Sequence, residues 1–335
     1  MTVTPQTNAT LKEIAQALLE HDNYVIVGHV SPDGDCIGSQ LALWHALHRA
    51  GKKATCVFAT DETSLEKSLQ FLPGSESIVP AASIEQAECV ICVDVPNESR
   101  MGEAAAALHA GASFTVTLDH HTNPQRVSDL SYTDPDAAAS ALIVWELAKG
   151  MGVDRGGELA LCAFTGLVTD TGRFQYQNTD AYAFACAAEM RQLGVDLALV
   201  CNQLFQRRSL SALKLENAAT NRMKLLMDGS LALTYVTLDD FKTTGAVKAD
   251  ADNIVNVLRS LDGVRVACTL RETEENLRGS LRSKDDTDIS IFARDHNGGG
   301  HKAASGFTLY GDIQSQFDQL KDELEEFLNE QWGLV

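Results

Sequence analysis

The sequence lacks long apolar runs and is poor in basic residues. Its 335 residues contain 27 Lys and Arg against 46 Asp and Glu, a formal charge of −19. A transmembrane helix needs about 20 consecutive apolar residues, so we expect no membrane span. Long nucleic acids are held by many phosphate contacts from a basic surface, so we expect no binding of long DNA or RNA. A small phosphorylated ligand held by a few local cations remains compatible with this composition.

The chain also lacks the basic N-terminal segment and apolar core of a signal peptide. It lacks the two C-x-x-C motifs of a cysteine-ligated zinc site. Thr10 to Glu13 instead form a predicted capping box at the start of an amphipathic helix, which favours a cytoplasmic protein. Cys89 and Cys92 form one C-x-x-C, but it lies in the strand-like ECVICVDV and has no second pair. We therefore expect the eight cysteines to be reduced core thiols.

Short β-rich runs alternate with helical patterns through the first half, as in YVIVGH at 24–29, a predicted helix from Ser39 to Ala50, and ECVICVD at 88–94. Such strands, apolar throughout and separated by helices, predict a parallel sheet with helices on both faces. Helical patterns dominate 137–221, and strand-like runs return from 231, followed by HNGGGH and an acidic amphipathic helix near 313–332. The predicted fold class is α/β, with an N-terminal parallel-sheet domain at 1–195, a helical linker at 196–222 and a smaller α/β domain at 223–335.

The first strand runs directly into His29, Asp33 and Asp35 within GHVSPDGDCIGS. A strand end, a turn and a helix start would direct an imidazole and two carboxylates into one pocket, as a divalent metal requires. The alternative is that both aspartates only fill the turn and cap the next helix. An EF-hand is excluded because Trp44 stands where its bidentate Glu would be, and a P-loop is excluded because no G-K-[ST] follows.

Further acids and histidines end or follow other apolar segments: Asp94 at the end of ECVICVD, Asp119 with His120 and His121 after SFTVTL, and Asp170 after an apolar helix. Each alone is an ordinary residue for the end of an element. Together they would bring four aspartates (33, 35, 94 and 170) to the edge where parallel strands end. Two divalent cations would neutralise that charge, and the histidine nitrogens favour manganese or another first-row ion over magnesium.

These residues resemble the motifs of a known family. H-V-S-P-D-G-D at 29–35, V-D-V at 93–95 with Arg100, D-H-H at 119–121 and T-D-T-G at 169–172 resemble the four motifs of the DHH phosphoesterases. S-L-R-S at 280–283 and G-G-G-H at 298–301 resemble the DHH-associated substrate-binding domain. The whole set is most similar to the two-domain branch that degrades very short RNA (nanoRNA) and dephosphorylates 3′-phosphoadenosine 5′-phosphate (pAp).

The resemblance implies two metal ions, most simply Mn²⁺, with Mg²⁺ or Co²⁺ as alternatives. One would be held by His29, Asp33 and Asp94. The second would be held by Asp35, His120 and Asp170, with Asp94 bridging both. Within the catalytic set, which also includes Asp94, Asp119 would orient a histidine and His121 would face the scissile phosphate.

The resemblance also implies a set of substrate-binding residues and an activity. The other phosphate of the substrate would be held by Arg282, His301 and the amides of Gly299 and Gly300, with Arg100 as a further substrate contact. The expected reaction is hydrolysis of nanoRNA to mononucleotides and of pAp to AMP by a water activated between two metals. A homodimer is suggested by the resemblance alone.

One departure and several alternatives remain. The family often has four glycines before the histidine, and Asn297 takes the first place here; Asn tolerates left-handed backbone angles. A phosphodiesterase for cyclic di-AMP or its linear product pApA would use the same ligands. The glycine-rich loop disfavours a family II pyrophosphatase, and the length leaves no room for the further domain of a single-strand DNA exonuclease. A non-catalytic nucleotide sensor would be expected to lack one or more ligands.

Overall fold

The fold is that of a computed structural model that describes residues 6–60, 65–121 and 127–334. The chain divides into two compact units, residues 1–207 and residues 208–335. This boundary lies inside the segment predicted as a helical linker. In the described residues, no helix is both long and apolar enough to cross a bilayer.

Unit 1 is built on a six-stranded sheet in which every neighbouring pair is parallel, in the order β3-β2-β1-β4-β5-β6. This confirms the predicted α/β class and parallel sheet. The central strands are buried along their whole length, so charged side chains can only follow them. The strands are β1 (Tyr24–Val27), β2 (Ala54–Phe58), β3 (Val79–Pro80), β4 (Cys89–Val93), β5 (Phe114–Asp119) and β6 (Leu130–Thr133).

In the described residues, seven α-helices accompany this sheet, and the first two show how the local sequence sets their starts. The Thr10–Glu13 capping box begins α1 as predicted. The second helix begins at Gly34, five residues before the predicted Ser39, because Asp33 Oδ1 accepts from the amides of Asp35 and Cys36. The helices are α1 (Leu11–Glu20), α2 (Gly34–Arg49), α3 (Glu103–Gly111), α4 (Ser140–Gly150), α5 (Glu158–Asp170), α6 (Ala181–Gln192) and α7 (Leu197–Phe205).

Unit 2 has its own six-stranded sheet, in the order β11-β12-β10-β9-β8-β7. Its pairs are antiparallel except for β8 with β9. Its strands are β7 (Lys224–Leu226), β8 (Leu231–Val236), β9 (Val266–Glu272), β10 (Leu277–Ser283), β11 (Gly299–His301) and β12 (Ala304–Leu309). Its helices are α8 (Leu210–Arg222), α9 (Leu238–Thr244), α10 (Ile254–Arg259), α11 (Ile289–Asp295) and α12 (Ile313–Trp332).

Two apolar clusters lie on opposite faces of the unit 2 sheet. On one face, Phe317 and Leu324 of α12 pack with Leu270 and Leu281. The last helix therefore buries its apolar stripe within its own unit. On the other face, residues of α8 and α10 pack against the β8 and β9 side of the sheet. Strand β10 alternates buried residues with partly exposed ones, so its polar side chains share one face.

The cysteines lie as expected of core thiols. All eight fall within the described residues, all are free, and only Cys201 is more than slightly exposed. Burial raises the pKa of the Cys92 thiol well above its usual range, which keeps it protonated. Cys89 and Cys92 belong to the buried strand β4, not to an exposed metal-binding loop.

Candidate metal centre

Three neighbouring strands of unit 1 end in histidine or aspartate. His29 follows β1 by two residues, Asp94 follows β4 directly, and Asp119 is the last residue of β5. These strands pair in the order β1-β4-β5, so their carboxyl ends lie side by side. This is the edge at which open α/β sheets bind ligands.

Two helix ends complete the cluster. Asp33 caps α2 and Asp35 lies in its first turn, while Asp170 is the last residue of α5. The two helices pack closely because glycines meet there: a Cβ on Gly38 would lie 2.6 Å from the Cys162 carbonyl oxygen. The structure therefore brings all six predicted metal ligands to one end of the sheet.

His29 faces two of these carboxylates. Its Nε2 lies 3.4 Å from Asp94 Oδ2 and 3.9 Å from Asp33 Oδ1. His29 and Asp94 are buried, whereas the Asp33 side chain is 62% exposed. The three residues therefore form a group that is accessible to solvent on the side of Asp33.

His120 faces the other oxygen of Asp94. Its Nε2 lies 3.5 Å from Asp94 Oδ1, 3.8 Å from Asp35 Oδ2 and 3.8 Å from Asp170 Oδ2. Each histidine thus approaches a different oxygen of the same carboxylate. This arrangement makes Asp94 the shared member of two neighbouring groups.

The donor set fits divalent ions on geometric grounds. His29 Nδ1 lies 2.8 Å from the Val30 carbonyl oxygen and His120 Nδ1 lies 3.1 Å from that of Ala137. These contacts engage Nδ1 of each histidine and leave Nε2 facing the carboxylates, as in metal-binding histidines. The facing distances exceed those of good hydrogen bonds, and ligands about 2.1 Å from a shared ion lie roughly 3 to 3.5 Å apart.

The crowding of charge perturbs the titration of the cluster. Burial raises the pKa of Asp35 well above its usual range, and the negative charge of Asp94 adds to this. Burial also raises the pKa of Asp170, to about 6, although His120 opposes the shift. Burial disfavours charge on His120, but Asp170, Asp94 and Asp35 outweigh it and raise its pKa to about 10. A bound cation would supply the positive charge that protons supply here.

The predicted catalytic pair Asp119 and His121 lies beside this cluster. His121 Nδ1 is 2.9 Å from Asp119 Oδ1 and 3.5 Å from Asp94 Oδ1. Burial disfavours charge on His121, but the hydrogen bond to Asp119 raises its pKa. Asp119 is buried and His121 is 21% exposed, so the aspartate orients a partly exposed imidazole. Arg100, predicted to contact substrate, places Nη2 3.3 Å from His29 Nδ1.

Sequence reasoning missed the residues that fix the carboxylates. The amides of Ser140 and Ala141 donate to the two oxygens of Asp35 at 2.7 and 3.0 Å. Ser140 Oγ donates to Asp94 Oδ1 at 2.9 Å, and Asn178 Nδ2 lies 3.4 Å from Asp170 Oδ2. The signal available was a helix start after TDPDAAAS, since first-turn amides bind anions.

The residues predicted to hold a substrate phosphate lie in unit 2. Arg282 extends from β10, and its Nη1 donates to the Leu281 carbonyl oxygen at 2.8 Å. Gly299, Gly300 and His301 form the edge strand β11, in which His301 is exposed. Asn297 has φ +56°, the left-handed conformation that its place in the glycine loop requires. Gly298 is sterically required because a Cβ there would lie 2.0 Å from the Gly306 carbonyl oxygen.

Comparisons with known proteins agree with the motifs. The model of the DHH family, N-terminal domain, matches residues 23–167, and that of the DHHA1 domain matches residues 228–330. The bifunctional oligoribonuclease and PAP phosphatase NrnA of Thermus thermophilus is 31% identical over 305 residues, which are 90% of this chain and 89% of that protein. The cyclic-di-AMP phosphodiesterase PdeA of Listeria monocytogenes is 25% identical, over 88% of this chain and 47% of that protein.

The same agreement extends to a solved structure. An exopolyphosphatase-related protein from Bacteroides fragilis superposes with a TM-score of 0.87 at 28% identity, covering 97% of this chain and 98% of that one. The likeness therefore spans both units and both groups of motifs. The chain belongs to the DHH family of phosphoesterases, and it is a hydrolase of phosphate ester bonds.

Proposed function

We propose that the protein hydrolyses nanoRNA to mononucleotides and pAp to AMP with two divalent ions, most simply Mn²⁺. The observation that carries this proposal is the position of Asp94, whose two oxygens face His29 and His120 at 3.4 and 3.5 Å. A shared carboxylate between two donor groups is what a two-metal site needs. The imidazole nitrogens favour a first-row ion over magnesium.

The chain would hold the two ions with separate sets of ligands. His29 and Asp33 would complete one set, and Asp35, His120 and Asp170 would complete the other, with Asp94 in both. When bound, the ions would lower the pKa of an attacking water and would neutralise charge on the phosphoryl oxygens.

The remaining residues position groups. The Ser140 and Ala141 amides fix the Asp35 carboxylate, and the Ser140 hydroxyl fixes that of Asp94. Asp119 holds Nδ1 of His121, and His121 would face the scissile phosphate or its leaving oxygen.

The second phosphate of the substrate would be bound by unit 2. Arg282 presents a planar guanidinium that matches two phosphate oxygens at once. The backbone amides of Gly299 and Gly300 and the exposed His301 would add donors on the neighbouring edge strand. Arg100 would contact substrate from beside His29.

Product analysis over time tests the proposed function. With Mn²⁺ present, pAp, pApA, a pentaribonucleotide and cyclic di-AMP are offered separately at equal concentration. AMP from pAp, together with stepwise release of mononucleotides from the RNA, is the expected result. No turnover of either substrate would overturn the proposal.

A ligand variant ties the activity to the site. Asp170→Asn keeps the shape of the side chain but removes its charge, so we expect more than a 100-fold loss of turnover on both substrates, beyond the roughly 10- to 100-fold typical of outer residues. Asp322→Asn on the exposed face of α12 makes the same charge change and should leave turnover unaltered. Near-full activity of Asp170→Asn would contradict the ligand assignment.

A second candidate is a phosphodiesterase for cyclic di-AMP or pApA. The likeness to the Listeria phosphodiesterase favours it, and both chemistries use the same ligand set. In the product analysis this candidate predicts cleavage of cyclic di-AMP with little action on the pentaribonucleotide.

Three further features belong to this proposal. They are a cytoplasmic location, a homodimer, and a division into a catalytic domain (1–195), a linker (196–222) and a substrate-binding domain (223–335). Sedimentation velocity of the full chain tests the dimer.

A further inference from the structure

The sheet of unit 2 carries three arginines on one face. Arg278 of β10 lies directly opposite Arg271 of β9 in the antiparallel register. Arg282 lies four residues along β10 from Arg278 and therefore on the same face. Like charges directly opposite one another destabilise a strand pair. In a chain of charge −19, this concentration of cations points to an anionic ligand.

Arg271 has one donor without an acceptor in the described part of the chain. Its side chain is 16% exposed, and Nη1 donates to Asp252 Oδ1 at 3.0 Å and to the Lys248 carbonyl oxygen at 3.2 Å. Its Nε is buried and finds no hydrogen-bond partner within residues 6–60, 65–121 and 127–334. Buried donors are nearly always paired in folded proteins, so we expect this N–H to donate a hydrogen bond to a ligand oxygen.

Arg278 and a row of hydroxyl groups complete the surroundings. Arg278 is exposed, and its Nη1 donates to Thr308 Oγ1 at 2.9 Å. A pocket beside the two arginines is lined by Ser280 and Thr269, which face each other across the strand pair, and by Thr234, whose hydroxyl donates to the Ala219 carbonyl oxygen. Hydroxyls and guanidinium groups are the donors that recognise phosphate oxygens.

Asp252 is the acidic residue of this pocket, and its charge is compensated. Its side chain is 66% exposed, and it pairs with Arg271 through Nη1. With Arg278 included, the pocket retains a positive excess.

We propose that the pocket formed by Arg271, Arg278, Thr269 and Ser280 binds a further phosphate of an oligonucleotide, beyond the phosphate held by Arg282. This inference rests on the proposed function. The substrate pAp has two phosphates, one cleaved and one for Arg282, and a 5′-phosphorylated dinucleotide also has two. The pocket is therefore first filled by a 5′-phosphorylated trinucleotide, and it acts as a length sensor that favours RNA over pAp.

Steady-state kinetics on pAp, pApA, 5′-phosphorylated triadenylate and 5′-phosphorylated pentaadenylate tests the inference. For the wild-type protein, KM should fall between the dinucleotide and the trinucleotide. In Arg278→Gln this fall should disappear, with KM for the trinucleotide raised at least about tenfold, because a hydrogen bond to a charged group is lost. Asp252→Asn frees Arg271 and should lower KM for the trinucleotide.

Lys224→Gln is the matched control, because it removes one exposed positive charge from β7 at the opposite edge of the same sheet. It should leave the length dependence intact. The pocket assignment is overturned if Arg278→Gln shifts KM equally for all four substrates, or for none. If the wild type hydrolyses none of them, the proposed function fails instead. In that case the pocket is tested by calorimetry with the same oligonucleotides in EDTA. The dissociation constant should fall between the dinucleotide and the trinucleotide, and this fall should disappear in Arg278→Gln.

Discussion

Gly166 of α5 lies against the carboxylate that anchors the second group of ligands. A Cβ at this position would lie 2.6 Å from Asp35 Oδ1 and 2.6 Å from the Ala141 Cβ. Both atoms belong to the contact between the start of α2 and the start of α4. A single added methyl group at Gly166 would therefore displace Asp35, a proposed metal ligand, although no polar residue is replaced.

We expect Gly166→Ala to lower turnover at least about tenfold and to destabilise the fold by about 1 to 3 kcal/mol through overpacking. Steady-state rates and urea unfolding measure the two effects. The matched control is Gly111→Ala in α3, where nothing lies within 4 Å of the added Cβ. If Gly166→Ala behaves like that control, Asp35 has room to move and the packing argument is wrong.

Single residues also show how far the sequence can predict a site. His29, Asp94 and His120 were identifiable because each follows an apolar strand, and parallel strands share an end. Ser140 was not identifiable, because it acts through its backbone amide and its small hydroxyl group. Neither group requires a recognisable pattern of residue types. Arg271 is not identifiable from the sequence, because only the strand register places it opposite Arg278.

At the scale of elements, the sequence predicted periodic segments well and their limits less well. The last helix spans Ile313–Trp332, as its apolar spacing indicates. The predicted start of α2 at Ser39 is five residues too late. The helix extends to Gly34 because Asp33 accepts hydrogen bonds from the first backbone amides. The sequence predicts a mostly helical segment over 137–221. It does not predict the limits of α4 to α8, because these depend on contacts between residues distant in sequence.

One ion pair joins two elements of unit 2. Arg222 at the end of α8 donates through Nη1 and Nη2 to the two oxygens of Asp240 in α9, at 2.5 and 2.6 Å. Asp240 also caps α9 by accepting from the Thr237 amide at 2.7 Å. Burial opposes ionisation of Asp240, but the contacts with Arg222 and Thr237 lower its pKa.

We expect Asp240→Asn to reduce the free energy of unfolding at pH 7 by about 2 kcal/mol. Because the folded pKa is the lower one, this stability is complete above the unfolded value, about 3.9, and is lost as the pH falls through the folded value. Urea unfolding at pH 7 and near pH 3 should show the difference between wild type and variant shrinking in acid. Asp239→Asn, its exposed neighbour in the first turn, is the control. A difference independent of pH would contradict the assignment.

At the scale of the whole molecule, each unit has its own sheet and its own apolar clusters. The buried carboxylates Asp35 and Asp94 lie in unit 1 alone, so metal binding should stabilise that unit selectively. An ion at about 100 times its dissociation constant adds roughly 2.7 kcal/mol per site.

Hydrogen exchange of the full chain with Mn²⁺ and with EDTA measures this effect. Amides of β4 and β5 should lose protection in EDTA, while those of β9 and β10 should keep theirs. Calcium at the same ionic strength controls for screening of the −19 charge. Uniform loss of protection in both units would show that the ions act as general counterions.

The backbone at Asp94 has φ +61°, a conformation that Asp, Asn and Gly adopt far more readily than other residues. Evolution therefore has few ways to remove this carboxylate without also straining the turn after β4. A descendant that had abandoned catalysis but kept the fold would be expected to carry Asn or Gly here. Position 94 thus offers a one-residue diagnostic, in any set of related genomes, for separating active enzymes from copies that retain only the architecture.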